Sequence, residues 1–122
     1  MKFTKEEIDL CKQVAERHVK EIHYGVWVAE DKGKTIKVSL WNLPIGLTER
    51  QRKEGKWTPL WTISDCLEFM REKEHSFERA EQLGGIFDVS FISGEGTKKG
   101  SGDTLREACL KAVLAVLEEV KK

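Results

Sequence analysis

SFERAEQLGGIFDVSFIS, residues 76–93, decides the fold, because its first half fits two structures. Phe77, Ala80 and Leu83 would share one side of a short helix, whereas Phe77, Arg79, Glu81 and Leu83 follow the alternation of a strand. The Gly84-Gly85 pair decides between them. A two-residue glycine turn beside the alternating Phe87, Val89 and Phe91 predicts a β-hairpin.

Upstream, Thr62-x-x-Asp65, or alternatively Ser64 as the cap, opens a helix with Ile63, Cys66, Leu67 and Met70 on one side, ending near Glu74 or His75. Downstream, the glycine-rich run Gly94–Gly102 reads as a flexible connection. It matches neither GxxxxGK[ST] nor GxGxxG, so a nucleotide site is not indicated. Thr104-x-x-Glu107 then caps a final helix whose broad apolar face includes Leu105, Cys109, Ala112, Val113, Val116, Leu117 and Val120. Leu110 and Leu114 widen that face enough to suggest a homodimer through this helix.

The N-terminal half repeats the pattern. Thr4-x-x-Glu7 is a capping box, and Phe3 and Ile8 occupy the positions of a hydrophobic staple. Ile8, Cys11, Ala15, His18 and Ile22 form the buried stripe of the helix that follows, with His18 as a packing residue. From His23 the period changes to two. A three-residue loop at Asp31-Lys32-Gly33 would place Val28 opposite Ile36, Val26 opposite Val38 and Tyr24 opposite Leu40, with Trp27 across from Lys37. Asn42–Trp61 holds both prolines and no sustained period, and so predicts a long ordered loop.

The predicted fold is a single α+β domain over residues 1–122, in the order α-β-β-α-β-β-α. Its two hairpins form one four-stranded antiparallel sheet covered by helices, since each amphipathic helix needs a layer to bury its stripe. A chain of 122 residues has core enough to fold without staples.

Charge and cysteines narrow the function. Lys and Arg number 21 and Asp and Glu number 21, so no global field draws the chain to nucleic acid or an anionic membrane. No run approaches the ~20 apolar residues of a membrane span. The N-terminus MKFTKEEIDL lacks the apolar core of a signal peptide. Cys11, Cys66 and Cys109 are an odd number with wide spacing, which argues against disulfides and metal knuckles. The expected location is the cytoplasm. Neither metal nor cofactor is expected.

WTPLWTISDCLEFM (residues 57–70), FDVSF (87–91) and DTLREACLKAVLAVL (103–117) resemble the phage ABA sandwich domain family. That family leads from a Trp-Pro loop into an Asp-initiated helix and closes a short sheet with an Ala-rich helix. It carries no agreed activity, so the resemblance implies a fold and a phage or prophage origin, and with that origin the cytoplasm of a bacterial host. A fainter likeness is to double-stranded RNA-binding domains, which also run helix, antiparallel strands and closing helix, with lysines at the start of the last helix to meet phosphate. Here Lys98 and Lys99 come before Gly100, several residues early, and Asp103 stands where phosphate would lie.

No GxSxG, HExxH or DxDxDG occurs, and His18, His23 and His75 have no ligand spacing. An enzyme would need a triad assembled by the fold from Cys66, a histidine and an acid, so a non-enzymatic role is expected. The candidate interaction surface is Arg50, Arg52, Lys53, Lys56, Trp57 and Trp61, joined by Lys98 and Lys99. Aromatics and arginines are interface anchors, which points to an unknown protein partner. Aromatics interleaved with basic residues can equally stack bases and hold phosphates, so nucleic acid is the alternative.

Overall fold

Threonines set where the helices begin, Thr104 before the last helix included, since its hydroxyl accepts the Glu107 N–H at 3.0 Å. Thr4, Thr48 and Thr62 each accept a hydrogen bond from the backbone N–H three residues on. The side chains of Glu7, Gln51 and Asp65 accept one in return from the threonine N–H. Each reciprocal pair is worth about 1 kcal/mol at a helix end that would otherwise leave donors unsatisfied. The helices opened this way are α1 (Lys5–Arg17), α2 (Glu49–Glu54) and α3 (Ile63–Glu72). The computed structural model describes residues 2–18 and 20–120, and the side chains of 119 and 120 lie outside that description. The expected place of Val120 on the last helix's apolar face therefore lies outside it too. Within these residues the chain is α+β and parts into two units, Met1–Leu60 and Trp61–Lys122.

In the first unit, β1 (Trp27–Asp31), β2 (Ile36–Leu40) and β3 (Trp57–Pro59) form an antiparallel sheet in the order β2-β1-β3. The expected hairpin forms, but in another register. Its closing pair is Asp31 with Ile36 around a four-residue turn, so Val28 meets Ser39, Trp27 meets Leu40, and Lys37 meets Glu30 rather than Trp27. Asp31 causes this. Its carboxylate accepts the Gly33 N–H at 2.9 Å, and the Lys32 N–H donates to the Thr35 carbonyl at 2.9 Å, which fixes the longer turn. Tyr24 falls outside the strand and is exposed. Val28 and Ala29 are both buried, so β1 is covered on each side, and alternation says little about the register of such a strand.

The expected loop Asn42–Trp61 is folded, since it contains α2 and β3. Pro59 is compatible with β3 because that strand lies at the sheet edge. Ile22, placed in the α1 stripe by its spacing, lies beyond the helix end and bridges to Leu47. It joins Val26, Val28 and Trp41 in a core against which Leu47 and Trp57 pack.

In the second unit, β4 (Ser76–Leu83), β5 (Ile86–Ser93) and β6 (Gly96–Gly102) follow α3 and precede α4 (Leu105–Val120), with sheet order β4-β5-β6. Residues 76–83 are a strand, and Leu83 pairs with Ile86 across Gly84 and Gly85, whose φ values are +59° and +83°. Both turn residues are left-handed, as a two-residue hairpin turn of this hand requires.

The glycine-rich run is a strand rather than a flexible connection. Two of its glycines, Gly100 and Gly102, serve packing: a Cβ on Gly100 would collide with the Ala108 carbonyl oxygen and come within 2.7 Å of the Ala112 nitrogen. The bare backbone lets α4 lie directly on β6. These observations replace the single four-stranded sheet by two three-stranded antiparallel sheets, and the order by α-β-β-α-β-α-β-β-β-α. Leu110 and Leu114 of α4 are already buried, which removes the reason for expecting a dimer through that helix.

Candidate functional site

The basic and aromatic residues singled out in the sequence divide between the units. Arg50, Arg52, Lys53, Lys56 and Trp57 lie in the first; Trp61, Lys98 and Lys99 lie in the second. The short helix α2 uses much of its charge internally. Arg50 is 88% exposed and pairs with Glu54 at 2.9 Å, while Lys53 reaches Glu49 at 3.8 Å. Arg52 is only 12% exposed; it forks onto the Glu49 carboxylate and donates to the Trp57 carbonyl at 3.1 Å. This arginine and, secondarily, Lys53 hold the Glu49 carboxyl below its usual range. Lys56 is exposed with a left-handed backbone, φ +56°.

Neither indole is a free anchor. Trp57 meets Trp41 edge-on at 5.3 Å and Trp61 meets Phe69 edge-on at 5.6 Å, the latter with 4% of its surface exposed. Lys98 is half-buried and Lys99 exposed on β6, paired with Phe91 and Ser90 of β5. The arrangement therefore ties α2 to its own unit rather than presenting a stacking platform.

A different feature is open. In the second unit α4 packs on β5 and β6, and α3 packs on α4 and meets β4. All eight residues of β4 are exposed. Between α3 and β4 lies a cavity of ≈ 690 Å³ whose apolar wall is Ile63, Leu67, Met70, Phe77, Ala80 and Phe91, closed below by Leu105 and Cys109 of α4. Glu68, Arg71 and His75 add charge and polarity to the lining. Sheet pairing accounts for the wall: Phe77 opposes Phe91 and Ala80 opposes Val89, so these side chains share a face with the buried Val89 and Phe91. Phe77 stands edge-on to Phe91 at 5.8 Å and remains 55% exposed. Burial pushes the Cys109 thiol up to about 11. At neutral pH it is a small apolar wall element rather than a nucleophile.

Sequence reasoning placed Ile63, Leu67 and Met70 on one stripe and Phe77 on a strand but did not join them. The signal available was a mismatch of widths. Once Gly100 and Gly102 draw α4 over β6, one helix cannot also cover β4, and the α3 stripe is left facing a partly bare strand.

All three cysteines are buried and unbridged. Among the described residues no group of three or more His, Cys, Asp or Glu side chains could hold a metal ion, and no helix is long and apolar enough to cross a membrane. Neither a family profile, nor a curated protein, nor a solved structure matches the chain.

Proposed function

We propose that this protein is a binding module that captures a short apolar segment of a partner protein in the groove between α3 and β4. One observation carries the reading: a ≈ 690 Å³ cavity with a mainly apolar wall and an acid, an arginine and a histidine in its lining. Volume and chemistry both fall in the range of sites that receive a few apolar side chains and orient them with a small number of polar groups. An amphipathic segment laid along α3 would meet Ile63, Leu67 and Met70 at helical spacing. Asn42–Trp61 is the weaker choice of surface because Arg52, Trp57 and Trp61 are engaged inside their own units. An accessory role in a phage or prophage, implied by the resemblance of residues 57–117, suits a module of this kind.

The test is a peptide-display selection against the intact chain, followed by titration of the selected peptides into Leu67→Glu. Leu67 is 38% exposed, so the substitution spoils the groove without emptying the core. Peptides that bind the native chain and lose at least tenfold in affinity for the variant support the reading. Peptides that bind both equally defeat it.

A second reading, nucleic-acid binding, is favoured by the order α3-β4-β5-β6-α4, which is that of double-stranded RNA-binding domains. Against it, Asp103 stands just before α4 and the helix's first turn offers one arginine, Arg106, beside Glu107, rather than the cluster of positive charge such a domain needs there. It predicts a salt-sensitive mobility shift of duplex RNA, and absence of any shift at low salt would end it.

A further inference from the structure

We infer that two copies of this chain join through the free edges of their β4 strands, centred on Ala80, to make one six-stranded sheet. The strand ends the sheet order, is eight residues long, and is exposed along its whole length. Such an edge carries unpaired N–H and C=O groups that pair readily with another strand.

The hairpin fixes which groups those are. Leu83 and Ile86 flank a two-residue turn and so form a hydrogen-bonded pair, as do Glu81 with Asp88 and Arg79 with Ser90 at successive two-residue steps. The N–H and C=O groups of Ala80 and Gln82, which fall between, point to the open edge. A two-fold axis through Ala80 therefore sets Ala80 against Ala80 of the second copy as a doubly hydrogen-bonded pair.

The sequence around that point is self-complementary in charge. The same axis sets Arg79 against Glu81 of the other copy, and Glu81 against its Arg79. These fall at non-hydrogen-bonded positions, where opposing side chains come closest, with Cα atoms about 4.5 Å apart. Within one chain Arg79 and Glu81 lie on one face and already pair at 3.3 Å, both exposed, so the axis converts two local pairs into a four-charge cluster. Phe77 and Leu83, 55% and 70% exposed, stand three residues to either side of Ala80. Phe77 lies on the face of Ala80 and Leu83 on that of Arg79 and Glu81, so neither enters the match. Shifting the pairing by two residues would lose this match and oppose Glu81 to Glu81 or Arg79 to Arg79. Charge selects both the occupant, a second copy, and the register. The bulge between Phe77 and Arg79 limits the ladder to its central part.

Sedimentation equilibrium on the intact chain tests this. The native protein is expected to show a reversible monomer–dimer equilibrium. Arg79→Glu and Glu81→Arg should each raise the dimer Kd at least tenfold, because each opposes like charges twice. An equimolar mixture of the two variants should dimerise again, since every opposing pair is then of unlike charge. That rescue cannot come from misfolded chains. A native chain that stays monomeric at all concentrations overturns the inference, and so does a dimer indifferent to both charge reversals or variants that fail to rescue one another. Leu67→Glu, which disables the proposed groove, should dimerise as the native chain does, so failure of either proposal is visible without the other.

Discussion

Gly100 gives the sharpest test of how the second unit is built. A methyl group there would sit 2.7 Å from the Ala112 nitrogen and closer still to the Ala108 carbonyl oxygen. Ordinary carbon contacts need about 3.5 Å, so α4 would have to move off β6 by roughly 1 to 1.5 Å. A radial gap of that size forfeits about half or more of each dispersion contact it opens. The contacts at risk are those of Ala108, Cys109, Ala112 and Val113, all buried. The expected cost of Gly100→Ala is about 3 kcal/mol, the upper end of the range for overpacking. With a urea slope of about 1 to 3 kcal/mol per molar, the midpoint should drop by roughly 1 to 3 M in a circular-dichroism titration. Gly94→Ala is the matched control. Gly94 has no atom within 4 Å of an added Cβ and no left-handed φ, so its change should stay within about 0.5 kcal/mol. Equal effects at the two positions would refute the close-packing account of β6.

The remaining predictions concern charge and thiols. Arg52→Ala should destabilise the chain by about 1 to 2 kcal/mol in urea unfolding, because it removes the donor to the Trp57 carbonyl and leaves Glu49 only Lys53 and solvent, whereas the solvated Arg50→Ala should change it by less than about 0.5 kcal/mol. Glu49 has a depressed pKa, so its contribution is fully present above its ordinary value of 4.5 and lost as pH falls through the depressed one. The stability gap between the native chain and Glu49→Gln should therefore hold at neutral pH and close on acidification; a gap that widens in acid contradicts the pairing. Because Cys11, Cys66 and Cys109 are all buried, a thiol reagent at pH 8 should label the folded chain slowly and release all three thiols in denaturant. Rapid labelling of any one in the folded state would contradict its burial.

What the sequence disclosed was local. The Gly84-Gly85 turn and the threonine caps at positions 4 and 62 are decided by neighbours three or fewer residues away, and all three stand in the structure. Thr48-x-x-Gln51 is an equally local cap, hidden within a stretch whose prolines and glycines spoke for a loop. Register and sheet membership depend on distant atoms. Val28 and Ala29 are both buried, so alternation could not show that the first hairpin is offset by three residues, and the decisive element was the Asp31 carboxylate on Gly33. Gly94–Gly102 reads as flexible until Ala108 and Ala112 are placed against Gly100. The groove depends on the same event, since it exists where α4, held over β6, fails to reach β4. Its wall residues were legible as stripes, but their meeting was not.

The central claim is that partner recognition belongs to the α3/β4 groove. Side-chain methyl NMR of the intact chain titrated with a display-selected peptide tests it most directly. The account predicts that the largest shifts fall on Ile63, Leu67, Met70, Ala80 and Leu105. Shifts concentrated on Leu43, Ile45 and Leu47, with those groove methyls unmoved, would contradict it.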